Sequence, residues 1–248
     1  MARLTAPKRG GSKPGKALPS GGRRRRVMRW ALRIAGRVLL VVFVWIVLWR
    51  VAPLPGGLYM AAETWRLGGI EREWRGLGRI SPNLARAVVA AEDARFCAHW
   101  GLDLEAIDKA LEERERGRVR GASTITQQTA KNVFLWHGPS WTRKGLEAGF
   151  ALMIELAWGK RRILEVYLNV AEFGEGIFGA EAASRHYFGV AASQLSLAQS
   201  SALAAILPNP KARDPLRLGS NLRRRAAQIA QGAETIAARG DDACFIRP

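Results

Sequence analysis

The 248 residues carry a net charge of +18, which in a basic chain first suggests a nucleic-acid partner. Thirteen of the 39 Lys and Arg residues, however, precede Glu63, the first acid, and the other 26 nearly balance the 21 Asp and Glu. The excess therefore belongs to an N-terminal arm, and no nucleic-acid partner is expected.

The arm, residues 1–29, is rich in Gly, Pro and Ser up to Gly22, a composition that favours disorder. Val38 to Trp49 is an unbroken apolar run. With its flanks it predicts a membrane-spanning helix over residues 30–52, since a span needs roughly 20 residues. Arg33, Arg37 and Arg50 lie close enough to its ends to snorkel. Trp30, Trp45 and Trp49 suit interfacial belts, and Pro53 and Pro55 end the helix. A cleaved signal peptide is the alternative, but no small-residue cleavage site follows Trp49. Arg23 to Arg26 would keep the N-terminus cytoplasmic and place the chain beyond Pro53 across the membrane. The roughly 195 residues there suffice for one substantial core. Cys97 and Cys244 would lie in a space where disulfides form; Cys97 reads as part of a packed helix end, and the pairing stays open.

Residues 53–80 read as a linker and the entry to a jaw. Beyond them helical spacing dominates and the fold class is mainly α. Ser81-Pro82 starts a helix running to Asp93. Further helices are predicted over Leu104–Arg116, from Thr124, over Ser140–Trp158, and over Lys160–Val170. A glycine-rich turn at Phe173–Gly179 follows, then helices over Ala180–Tyr187, Ser196–Ile206 and Asn221–Arg239.

Two carboxylates fall on apolar faces. Glu92 shares a stripe with Ala85, Val88 and Val89, at the negative end of its helix. Burial and that helix end both favour a protonated carboxyl, which suits a general acid or base working near neutral pH. The alternative is a core-rim glutamate paired with Arg95. Glu147 shares a face with Phe150, Ala151, Ile154 and Trp158; an ordinary pair with Arg143 one turn earlier is its alternative. Glu155, off that stripe, reads as structural. Between them Gly121–Asn132 crowds Ser123, Thr124, Gln127, Gln128, Lys131 and Asn132 into a helix start. Thr124 and Gln127 fit a capping box, and the free amides with Lys131 suit a phosphate-bearing ligand. Paired carboxylates suggest sugar chemistry.

These segments resemble the signatures of the peptidoglycan glycosyltransferases, glycosyltransferase family 51. Glu92–Phe96 with His99-Trp-Gly101 resembles the first, Gly121–Asn132 the second and Arg143–Glu147 the third. Lys160–Asn169 resembles the fourth and Leu197–Pro210 the fifth. The chain ends at Pro248, without room for a penicillin-binding transpeptidase domain, so it resembles the monofunctional branch. The resemblance implies a lysozyme-like head with a smaller membrane-dipping jaw, within residues 81–248 and with the jaw near 117–142. It implies polymerisation of lipid II onto a growing glycan, with inversion and release of undecaprenyl diphosphate. Glu92 would be the base. Lys131 would hold the diphosphate, with Arg143 and Lys144 adding charge and Ser123, Thr124, Gln127, Gln128 and Asn132 shaping the groove. Glu147, the second acid, would organise either the diphosphate or a divalent cation such as Mg or Mn; no cofactor is required. Asp93 and His99 would brace the loop after Glu92. Many relatives carry a diphosphate-holding arginine where this chain has Pro139. Val133–Trp136 would pack in the core or touch lipid, and Trp141 would pack. The implied setting is the bacterial inner membrane, single-pass, with a periplasmic catalytic domain, membrane lipid and other cell-wall synthases as partners. A membrane-anchored lytic hydrolase and a non-catalytic cell-wall scaffold are the rival readings.

Overall fold

The computed structural model describes residues 21–116, 121–138 and 140–246. Residues 1–20 of the expected arm, residues 117–120 at the jaw boundary and Pro139 lie outside the described residues. The chain divides into two units, Met1–Val42 and Phe43–Pro248.

All the described residues of the first unit, 21–42, belong to α1 (Gly21–Leu48). Its stretch Arg24–Leu48 contains an 18-residue window with a mean hydropathy of 2.3 and is long and apolar enough to cross a membrane. The helix departs from the expected span at both ends. It starts at Gly21, so Arg24 to Arg29 are helical and not an irregular arm, because arginine is a good helix former once a helix is present. It stops at Leu48, and a turn over Trp49–Val51 leads to Pro53, which forces extended backbone on Ala52. The freed carbonyls are satisfied within the second unit. Trp158 Nε1 donates to Ile46 O at 2.8 Å and Arg162 donates to Trp49 O at 2.9 Å and to Ala52 O.

The second unit is helical with one small sheet. A helix that the sequence reading left as linker, α2 (Leu58–Leu67), starts at Gly57 and stops at Gly68 in the left-handed region, φ 73°. Gly57 is required there: a Cβ would overlap the Asn132 carbonyl. Next come β1 (Glu71–Arg72), α3 (Pro82–Glu92), α4 (Leu104–Glu115), α5 (Ile125–Phe134), α6 (Trp141–Ala157) and α7 (Lys160–Val170). The glycine-rich turn is a hairpin of β2 (Glu172–Gly174) and β3 (Ile177–Phe178), turning at Gly176 with φ 72°. β1 adds to it in parallel, giving the order β1-β3-β2. α8 (Ala180–Phe188), α9 (Leu197–Ile206), α10 (Ser220–Arg239) and the short α11 (Ala243–Ile246) complete the chain.

Two helix groups make the core. α3, α9 and α10 pack against one another, and α9 is buried on nearly every side from Ser200 to Ile206, which is why it lacks a polar stripe. α5 packs between α6 and α7, with Ile125, Ile154, Ile163 and Leu164 fully buried. Phe134 stacks on Phe150 at 5.1 Å between ring centres. Val133, Phe134 and Leu135 belong to this core, and only Trp136 of that run is exposed. Trp141 does not pack: it is 91% exposed, because it opens a helix whose inward face holds its charges.

Cys97 and Cys244 form a disulfide with Cα atoms 5.9 Å apart, joining the loop after α3 to α11. Cys97 is exposed on a short 3-10 turn and not in a packed helix end. Fully buried Phe245 and the Arg86–Asp242 pair at 2.7 Å hold α11 to the same face.

Candidate active site

Asp93 and His99 fasten the loop that follows α3. Asp93 Oδ1 lies 2.8 Å from His99 Nε2, and Asp93 Oδ2 accepts the Ile125 N–H at 3.0 Å. A carboxylate at the first amide of α5 satisfies an end-of-helix donor and suits the positive end of the dipole. Thr124 completes the cap: it accepts from Gln127 N at 3.1 Å, donates to Gly101 O at 2.6 Å, and its own N–H binds Gln127 Oε1. Thr124 and Gln127 are buried and their hydrogen bonds are spent on this cap. α5 is thereby fixed against the end of α3.

That register sets Gln128 against Glu92. Gln128 Nε2 donates to Glu92 Oε2 at 2.9 Å, and Tyr167 O–H reaches Gln128 Oε1 at 3.3 Å. Glu92 is not paired with Arg95, which instead meets Asp103 at 3.8 Å and Glu105. Its Oε1 has no hydrogen-bond partner and faces Arg225 Nη2 at 3.8 Å. A cleft of about 540 Å³ opens here, lined by Glu92, Ser123, Thr124, Gln128, Lys109 and Arg225, with other residues of the same loops. A second cleft of about 270 Å³ is lined by Gln128, Lys131, Asn132, Tyr59, His137 and Lys211, among others. Gln128 and Pro208 line both, so the two clefts adjoin.

Glu147 is 3% exposed on the inward face of α6. Arg143 donates to its Oε2 at 2.8 Å and Lys144 to its Oε1, so the ordinary intrahelical pair is present with a second cation added. Lys144 also donates to Ser123 Oγ at 2.9 Å, which ties Glu147 to the rim of the first cleft. The Lys131 ammonium makes no hydrogen bond or ion pair among the described residues, although the residue's carbonyl accepts from Leu135 N–H. Burial lowers its pKa, opposed by Glu147 and reinforced by Arg143 and Lys144. Three cations around one carboxylate leave about two positive charges uncompensated, a seat for an anion. His137 adds none: burial and then Lys131 hold its pKa down to about 4, and its ring lies on Tyr59 at 3.6 Å.

Both Glu147 oxygens accept from cations, Arg143 on one and Lys144 on the other, so a divalent cation at this carboxylate would compete with two positive charges already there. Asp93, His99 and Asp103 bring ligand atoms within 4.8 Å of one another. Both Asp93 oxygens are engaged as above, and Asp103 Oδ1 accepts the Ala106 N–H at 3.0 Å, so this cluster serves the backbone. Glu155 is structural, binding Lys160 at 2.6 Å and Thr126 at 2.7 Å. Tyr167 and Arg225 were not anticipated. For Arg225 a signal existed: it stands one turn before buried Ile229 on α10, a charge on an apolar stripe as Glu92 is.

Residues 61–234 match the family model described as Transglycosylase. The chain is 54% identical over 217 residues to the biosynthetic peptidoglycan transglycosylase of Jannaschia sp. (strain CCS1), covering 88% of this chain and 90% of that one. It is 48% identical over 226 residues to the protein of the same name from Rhodospirillum centenum (strain ATCC 51521 / SW), covering 90% and 97%. With that from Citrobacter koseri (strain ATCC BAA-895 / CDC 4225-83 / SGSC4696) it shares 50% identity over 191 residues, covering 72% and 79%. A charged cleft beside an unpartnered carboxylate oxygen and this extent of likeness agree: the chain belongs to the transglycosylase family.

Proposed function

We propose that the chain is a peptidoglycan glycosyltransferase that polymerises lipid II into β-1,4 glycan strands and releases undecaprenyl diphosphate. One observation carries the reading. Gln128 stands between a carboxylate with a free oxygen, Glu92, and an anion seat around Lys131. In this reading the acceptor sugar occupies the Glu92 cleft. Glu92 Oε1 takes the proton of its 4-hydroxyl as that oxygen bonds to the anomeric carbon of the donor. The bond from that carbon to the phosphate oxygen breaks on the opposite face, and its electron pair leaves on the diphosphate. Lys131, Arg143 and Lys144 receive the departing charge, so a cationic seat substitutes for a strong acid. Inversion follows from the single displacement. Ser123 orients Lys144, and Asn132 borders the donor side. A lytic hydrolase needs no such anion seat.

The family's lipid-linked substrate requires a membrane surface, and α6 supports one. Trp141, Gly145, Gly149, Leu152 and Leu156 fall on one exposed face, while Arg143, Lys144, Glu147 and Glu155 point inward. A helix charged inside and apolar outside suits lipid contact. With α1 as anchor and basic residues before it, the reading places the N-terminus in the cytoplasm and the catalytic unit on the outer side of the inner membrane. The test is incubation of the purified full chain with labelled lipid II in detergent. Muramidase-sensitive polymer that moenomycin abolishes is the expected product; degradation of preformed glycan without polymer would refute the reading.

A further inference from the structure

Arg225 lies on α10, beyond the segments that resemble the family signatures, yet it lines the Glu92 cleft. Glu92 Oε1 and Arg225 Nε are both buried without a hydrogen-bond partner, and Arg225 Nη2 stands 3.8 Å from that oxygen. Orphan buried polar groups are costly, and native folds keep them where something else depends on them. The separation is too long for a direct hydrogen bond but short for two opposite charges.

Other charges around Glu92 do not replace this one. Arg95, Asp103 and Glu105 across the cleft are paired among themselves. Lys109, on the same wall, is extended toward Glu105 at 4.0 Å. Asp93 adjoins Glu92 in sequence, and Lys131 on α5 is near enough to Glu92 for the two charges to attract. Tyr167 is held neutral, its pKa raised by burial and then by Glu92 and Asp93.

We propose that Arg225 is a positioning residue for the base. It leaves Oε1 open to the acceptor hydroxyl, keeps Glu92 ionised before the transfer, and afterwards drives the captured proton out to solvent so that the base resets. The proposal rests on Glu92 being the base.

The experiment measures lipid II polymerisation against pH for the full chain, Arg225→Met, Arg225→Lys and Glu92→Gln. Arg224→Met serves as control, because Arg224 is exposed on the same helix and bonds only Asn221. Arg225→Met is expected to lower kcat about tenfold at neutral pH with KM within about twofold. The acid limb of its kcat profile should move up by about one pH unit. Arg225→Lys should restore most of both. If Arg225→Met does not fold, Arg225→Gln, which keeps a polar head in the cleft, is read by the same results. Wild-type kcat and an unmoved acid limb overturn the proposal while inactive Glu92→Gln leaves the base assignment standing. An active Glu92→Gln overturns both.

Discussion

The carboxylate of Asp93 accepts the backbone N–H of Ile125 at 3.0 Å, so the residue after Glu92 caps the helix that carries Gln128 and Lys131. The base and the anion seat are thereby placed by one short contact, and His99 holds the other Asp93 oxygen. Asp93→Ala should cost about 1–3 kcal/mol in stability, from the lost cap and the unpaired buried His99. Its kcat should fall as well, because Gln128 loses its register against Glu92. Asp93→Asn, which keeps an acceptor, should recover part of both. Thermal melts and polymerisation rates check this.

Lys131 sets function against stability. Burial lowers its pKa below the ordinary 10.5, so the unfolded chain binds that proton more tightly than the folded one. Charged Lys131 therefore destabilises the fold at every pH below its folded pKa, and the penalty fades as pH rises from there towards 10.5. Lys131→Met should be more stable than the parent at pH 7, with the difference shrinking as pH approaches that value. Its kcat should nonetheless drop by about 100-fold or more, since the anion seat is lost. Denaturant melts across pH, beside turnover assays, separate the two effects; a Met variant less stable at pH 7 would contradict the argument.

What the sequence disclosed followed the range of the forces involved. The α5 start was legible because Thr124 and Gln127 cap locally, and Lys160–Val170 because its apolar period is strong. The inward face of Glu147 was legible from helical spacing alone. α2 was not, since glycine at both ends gives no polar cap to read and its start is fixed by the distant Asn132 carbonyl. Nor was β1, a two-residue strand that exists only through pairing of Glu71 with Ile177, more than a hundred residues on. The Cys97–Cys244 pairing depends on where α11 docks, which no local pattern encodes.

Gly57 is a test of that distant contact. Gly57→Ala drives a Cβ into the Asn132 carbonyl, so the start of α2 or the end of α5 must shift. A loss of about 2–4 kcal/mol is expected. Gly68→Ala, where a Cβ meets nothing within 4 Å, should cost only the strain of its positive φ, about 1 kcal/mol. Comparing the two melts distinguishes overlap from backbone strain.

The disulfide spans 147 residues, so reducing it frees a long loop in the unfolded chain. Reduction, or Cys97→Ser with Cys244→Ser, should destabilise by about 2–5 kcal/mol. Because Cys97 follows Asp93 by four residues, activity at elevated temperature should fall before the global melt does. Residual rate against temperature, with and without reductant, reads this directly.

Turnover of Glu92→Gln on lipid II tests the central claim, that Glu92 removes the acceptor proton while the Lys131 seat takes the diphosphate. The amide keeps the shape and a partner for Gln128 but cannot take the proton, so a folded variant should lose at least about 100-fold in kcat with little change in KM. A folded Glu92→Gln protein that polymerises lipid II at the parent rate would contradict the account.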